Sequence, residues 1–258
     1  MSANRAKDHG PRLQEVAQSR GIPGLLEEIT SETNPDERRA LYSAACRHLP
    51  RNQWEGKNLD QVILLYRAAI TEFHGQSSSC PDPDTASRLL DGANVLSYNL
   101  SADLAPCWPG DEEIREKRHF EEGKRAAGDC LRWREELGKG PGPFGMAWWA
   151  RGIHCLALGE FESALDAFEN SLVAAVELAE EKGEATTLSL EAPFVVLLSH
   201  GYLGLARSIV NDAEGEIIFQ RVIDAFSSQV EASGDLSKDA AFGRDQLQVA
   251  QQRFARNG

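Results

Sequence analysis

Apolar residues recur every three or four positions along nearly all of this 258-residue chain, and strict alternation occurs almost nowhere. A 3.6-residue period gives each segment one apolar stripe, the signature of a helix, whereas a half-buried strand needs a period of two. The chain therefore reads as all-α. Asn34-Pro35-Asp36-Glu37 is a start signal: Asn34 can cap, Pro35 suits a first turn and Glu37 can reach back. Pro50 stops the helix that follows, and Leu59, Val62, Ile63, Tyr66, Ile70 and Phe73 form the next stripe. Asp82-Pro83 opens a helix carrying Leu89, Ala93, Leu96, Leu100 and Leu104 inward, closed by Pro106, Pro109 and Gly110.

In all, about ten helices are expected. Two short ones lie near 11–20 and 23–30, and a charged one covers about 111–137 with Phe120, Gly123, Ala127, Cys130 and Leu131 inward. The run Gly138-Lys139-Gly140-Pro141-Gly142-Pro143 is the strongest breaker. It divides an irregular N-terminal half, 1–137, from a more regular C-terminal half within one all-helical domain, 1–258. Beyond it come helix pairs at 146–158 with 160–182 and 192–209 with 212–230, where Asn211 and Glu214 have capping-box spacing. Short connections make such pairs antiparallel. A final helix, 237–256, is apolar on one side only (Phe242, Leu247, Ala250, Phe254), as the end cap of a stacked array must be. The expected architecture is an α-solenoid of antiparallel helix pairs closed by a capping helix.

Composition narrows the function. Forty acidic against 27 basic side chains give a net charge of −13, and no basic stripe is present to neutralise phosphates, so no nucleic-acid partner is expected. No window reaches the ~18 apolar residues of a membrane span, and the start MSANRAKDHG lacks a signal-peptide core, so the expectation is a cytoplasmic protein with no membrane partner. Five scattered cysteines (Cys46, Cys80, Cys107, Cys130, Cys155) fit neither a disulfide framework nor the C-x₂₋₄-C start of a zinc site. No metal or other cofactor is expected.

One segment carries a residue-level resemblance. In AWWARGIHCLALGEFESALDAFENSL, residues 147–172, Trp148, Gly152, Gly159, Ala164 and Phe168 stand at the spacings of a tetratricopeptide repeat (TPR), and the segment resembles one. Gly152 and Ala164 are small enough for two helices to approach, Gly159 makes the turn, and Trp148 and Phe168 fill the flanks. Arg151, Cys155 and Val176 depart from the pattern's Leu, Tyr and Pro. A degenerate second copy is expected at about 194–226, with Gly201 standing 49 residues after Gly152, so that the TPR-like pairs span 146–232. The resemblance implies a concave groove lined by Met146, Trp149, Ala150, Ile153, Leu156 and Ala157, with Trp148 in the core. Of these, Met146, Trp149, Ile153 and Leu156 are the candidate partner contacts. The row has no Lys, Arg or Asn to grip a carboxylate, so it suits an amphipathic helix; equally, helices from residues 1–100 could fill the space.

Other motifs read as structure. Gly140-Pro141-Gly142-Pro143-Phe144-Gly145 matches G-x-G-x-x-G, but a helix precedes it and its prolines have no N–H for phosphate. Glu116-x-x-His119 has half the spacing of a helical di-iron site, but no other histidine has Glu three before it, so a solvated face is expected. Asn99-Leu100-Ser101 lies on an expected helix. His154 and Cys155 point about 100° apart and are expected to pack rather than react. Residues 151–200 carry two basic against nine acidic groups, and Glu162, Asp166 and Glu169 share a face, a solvating surface or one that steers a basic partner. The expected function is a non-catalytic scaffold for a protein or peptide partner, basic or amphipathic. The alternatives are a self-associating (homo-oligomeric) or ligand-sensing domain and an enzyme with an unrecognised helical site.

Overall fold

The structure, a computed structural model, describes residues 5–232, 234 and 237–254. Among these it contains ten helices and no strand: α1 (Arg5–Thr30), α2 (Pro35–His48), α3 (Leu59–Ser79), α4 (Pro83–Leu104), α5 (Lys117–Glu136), α6 (Pro141–Ala157), α7 (Phe161–Lys182), α8 (Phe194–Ile209), α9 (Ala213–Glu231) and α10 (Ser237–Phe254). None is long and apolar enough to cross a membrane among the described residues. Where one domain over 1–258 is expected, the helices group into two compact units, Met1–Asp103 and Leu104–Gly258. The boundary falls at the end of α4, not at the 138–143 breaker, because α5 packs directly on α6 across it.

In the first unit, α1 bends at Gly21 (φ 67°), which gives the two helical stretches expected there. Asn34 caps α2 by accepting from the Asp36 and Glu37 N–H groups, and Asn58 caps α3 from Gln61. Leu25, Ile29, Ala45, Leu49, Leu65, Tyr66, Ala93 and Leu100 form its core. The Tyr66 hydroxyl donates to Asp103 Oδ2 at 2.8 Å, which ties the end of α4 to α3.

In the second unit each helix packs on the next in sequence from α5 to α10, and α8 also meets α6 and α10. The 138–143 run starts a helix. Pro141 and Pro143 occupy the first turn of α6, where their missing N–H groups would have had no helical acceptor. The buried Arg134 of α5 donates to the Pro143 carbonyl and fixes that start.

The α6–α7 and α8–α9 hairpins are closed by the same kind of turn. Gly159 (φ 74°) ends α6 in a left-handed turn, with Glu160 N donating to Cys155 O and Gly159 N to Leu156 O. Asn211 (φ 63°) does the same for α8, with Asp212 N to Arg207 O and Asn211 N to Ser208 O. Asn211 is therefore a C-terminal turn residue, and Asp212 is the cap of α9, accepting from Glu214 N at 3.0 Å. Matching the turns pairs Gly152 with Gly204, 52 residues on; past the turn the buried small and aromatic residues fall one position earlier, with Gly215 and Phe219 standing 51 residues after Ala164 and Phe168. Burial agrees: all six are inside. Gly201 instead faces Leu247 of α10 and Val222 of α9.

Close approach decides which glycines matter. A Cβ on Gly152 would lie 2.6 Å from the Phe168 ring, so its nearest neighbour is that ring rather than Ala164. A Cβ on Gly204 would lie 2.8 Å from Phe219 N, and one on Gly215 would lie 2.4 Å from Ser208 N. The α8 and α9 backbones touch there, and no side chain can move aside. Gly215→Ala is expected to cost about 1–3 kcal/mol in urea unfolding by overpacking. Gly75→Ala, in the exposed interior of α3 with nothing within 4 Å of the added carbon, is expected to gain about 0.5–1 kcal/mol.

Candidate functional site

The TPR resemblance places a binding groove on the first helix of each pair, here the α6 row from Met146 to Ala157. That groove is occupied by the chain itself. The helix expected over 111–137 begins only at Lys117, because Pro106, Pro109 and Gly110 (φ 76°) hold residues 105–116 out of helix. Ala105, Pro106 and Cys107 are buried, and Trp108 is half-buried. The Trp108 ring meets Trp149 of α6 edge-on at 5.7 Å and stacks on Phe242 of α10 at 6.1 Å. Trp149 meets Tyr202 of α8 edge-on at 5.8 Å, and Tyr202 stacks on Phe168 of α7 at 5.5 Å. One aromatic chain thus crosses five elements.

Polar groups lock the same segment. Gln246 of α10 donates to Cys107 Sγ at 3.4 Å, and Arg253 donates to the Asp111 carbonyl. Arg115 reaches back with Nε to Leu104 O at 2.8 Å, Nη1 to Glu113 O at 3.1 Å and Nη2 to Asp111 Oδ2 at 2.7 Å.

This corrects the groove assignment. Trp149 is 7% exposed and Ile153 and Leu156 are buried, because residues 105–116 and α8 cover them; of the four candidate contacts only Met146 is exposed. Trp148, assigned to the core, is half-buried. The two tryptophans exchange roles, since the face turned toward α8 and the 105–116 segment is the one Trp149 occupies. In α5 the inward residues are His119, Gly123, Ala126, Ala127, Cys130, Trp133 and Arg134, while Phe120 and Leu131 are only half-buried. On α10, Phe242 remains 45% exposed although it stacks on Trp108.

The reactive-looking residues are structural. Glu116 and His119 form a helix start: His119 Nδ1 accepts from the Glu116 N–H at 3.0 Å, and the ring is buried, not on a solvated face. His154 is fully buried, with its ring so close to Gly123 of α5 that a Cβ there would sit 2.2 Å away. Burial pushes the Cys155 thiol up to about 11, helped by Glu160, and pushes Cys107 up to about 11 against the Gln246 hydrogen bond. Lys124 holds Glu160 at 2.6 Å and lowers its carboxyl below the usual range. Burial lowers the His200 imidazole, and Arg221 adds to that shift. Gly140–Gly145 opens α6 after a helix and not after a strand, so it is no dinucleotide turn. Among the described residues no cluster of three or more His, Cys, Asp or Glu is placed to hold a metal ion.

What stays open is a cleft of about 910 Å³ at the end of this face. Ile114, Phe120, Leu156, Phe161, Ile209 and Phe254 supply its apolar lining, and Glu113, Arg115, Gln252 and Arg253 its polar part. Ile114 is 87% exposed and Phe161 43%. No single spacing in the sequence marks this cleft, whose lining comes from six separate stretches. No protein-family model matches the chain, and no curated protein matches it.

Two measurements check this geometry. Trp149→Ala is expected to cost about 3–5 kcal/mol in chemical unfolding and Trp148→Ala clearly less. At pH 8 the half-exposed Cys80 is expected to react first with a maleimide, with Cys46, Cys107, Cys130 and Cys155 reacting only on unfolding. For Cys107 and Cys155 an unfolded thiol ionises near 9.0 and the folded one near 11, so stability is intact below pH 9 and falls as the pH rises from 9 to 11.

Proposed function

We propose that this chain is a non-catalytic interaction scaffold built on TPR-like helix hairpins, and that the cleft at the end of its second unit takes a basic amphipathic helix of a partner protein. The observation that carries this reading is Ile114. An isoleucine 87% exposed, on a segment held by two Arg115 hydrogen bonds and the Arg115–Asp111 ion pair, lines a cleft of about 910 Å³. Isolated exposed apolar residues are ordinary, but one fixed next to an apolar cleft marks a contact surface.

Charge favours a basic partner. Glu113 in the lining, and Glu112 and Glu162 next to lining residues in sequence, stand exposed and make no ion pair, whereas the lining guanidiniums of Arg115 and Arg253 are engaged by the Asp111 carboxylate and carbonyl. Exposed acid around an apolar floor suits a helix with Leu- or Ile-type anchors flanked by Lys and Arg. The repeat reading is supported by the two hairpins' shared left-handed turns and by buried small and aromatic residues on either side of them, Gly152, Ala164 and Phe168 in one and Gly204, Gly215 and Phe219 in the other. The absence of catalysis is supported by the burial of His154 and Cys155, and a cytoplasmic setting by five cysteines that form no disulfide.

The test uses a displayed library of helical peptides, acidic and basic, selected on the full chain carrying a photo-crosslinking residue in place of Met146 or of Ile114. The expected result is enrichment of basic amphipathic sequences that crosslink at position 114 and not at 146. Ile114→Glu is expected to weaken them by about 2 kcal/mol or more while unfolding stays within about 0.5 kcal/mol of the parent chain. Selected peptides that are acidic, or that bind the Ile114→Glu chain equally well, would overturn the reading.

A further inference from the structure

Within the first unit, a cavity of about 440 Å³ lies between α2, α3 and α4, a volume within the ~300–1,000 Å³ range of small-molecule sites. Its apolar wall is Phe73, Val95 and Leu96. Gly92 shapes that wall: a Cβ there would lie 2.4 Å from the Phe73 ring, so only glycine lets the ring lie against α4. Val95 is 49% exposed in that lining.

The polar side of the cavity is unspent. Arg47 and Arg51 both line it, both are exposed, and neither is paired with a carboxylate; the one bond they share is Arg51 Nη1 to the Arg47 carbonyl at 2.9 Å. That is unusual in a chain with 13 more acidic than basic groups, where Arg38, Arg39 and Arg12 each hold a partner. Ser43 and Asn99 add a hydroxyl and a carboxamide that make no side-chain hydrogen bond. The acid in the lining, Asp91, already accepts from Asn94 Nδ2 at 3.0 Å. The floor includes the buried Cys46 thiol, which desolvation keeps protonated. Two arginines without a carboxylate partner, two neutral polar side chains and an apolar wall therefore line one concavity.

We propose that this cavity is a binding site for a small organic oxyanion, a carboxylate or phosphomonoester on an aromatic or branched apolar body. The guanidiniums take the oxyanion in charge-assisted hydrogen bonds, Ser43 and Asn99 complete its shell, and the body lies against Phe73 and Val95. The site is independent of the cleft in the second unit and of the function proposed for it.

Phenylphosphate and phenylacetate, titrated separately into the full chain and followed by amide NMR, test the site. Saturable shifts centred on Ser43, Arg47, Arg51, Val95 and Asn99 are expected with at least one of them, and the tighter of the two identifies the oxyanion. The double variant R47Q/R51Q is expected to bind at least about tenfold more weakly, with melting within a few degrees of the parent because the only bond lost is the exposed one from Arg51 to the Arg47 carbonyl. Gly92→Ala, which drives the Phe73 ring into the cavity, is expected to weaken binding with both guanidiniums intact. No saturation with either probe, equal binding by R47Q/R51Q, or equal binding of neutral benzyl alcohol would overturn the proposal. Inorganic phosphate binding as tightly as phenylphosphate would overturn the apolar half of it.

Discussion

The edge-on contact between Trp108 and Trp149 organises the second unit. It brings a non-helical segment into the face where three helices converge, and Phe242, Tyr202 and Phe168 extend it from α10 to α7. Aromatic pairs of this geometry contribute about 0.5–1.5 kcal/mol each beyond the area they bury. Their larger effect is positional. With Trp108 seated, Cys107 is within reach of Gln246, the Asp111 carbonyl meets Arg253, and Arg115 can fold back onto Leu104. Ile114 is left outside by the same arrangement. The central groove is closed and the cleft at its end is open for one reason.

The two units therefore offer different kinds of surface. In the second, the exposed features are a fixed apolar residue, a cleft and unpaired acid, suited to a macromolecule approaching from solvent. In the first, the exposed feature is a small concavity with unpaired base, suited to a small anion. Net charge alone would not have separated them, because the first unit mixes Arg47 and Arg51 with acids such as Glu28, Glu72 and Asp91 that are already engaged elsewhere.

Much of the fold is legible in the sequence because it is local. The 3.6-residue period, Asn34 before Pro35, and Gly159 after Leu158 each act within one or two turns, and each helix and turn they announce is present. What is not legible depends on distant partners. Trp148 and Trp149 are adjacent and equally apolar, so their roles follow from what α8 and the 105–116 segment bring against them. Gly201 and Gly204 lie three apart on one helix face, and only the turn at Asn211 decides which matches Gly152. Glu116 and His119 have a spacing shared by metal sites and helix starts, and the Nδ1 contact selects the second. The cleft and the anion cavity carry no sequence signature, since their linings are gathered from several helices.

The reach of the 105–116 segment also bears on how the second unit assembles. Its helices meet their sequence neighbours, the kind of topology that folds quickly because little chain entropy is lost before each contact forms. Gln246 to Cys107 spans 139 residues and Arg253 to Asp111 spans 142, so these bonds join the two ends of the unit over everything between them. Hairpin formation and closure are therefore separable events. The stack from α5 to α9 can form by local zippering, and the docking of α10 onto the 105–116 segment then turns a linear array, which could fray from either end, into a closed and cooperative one.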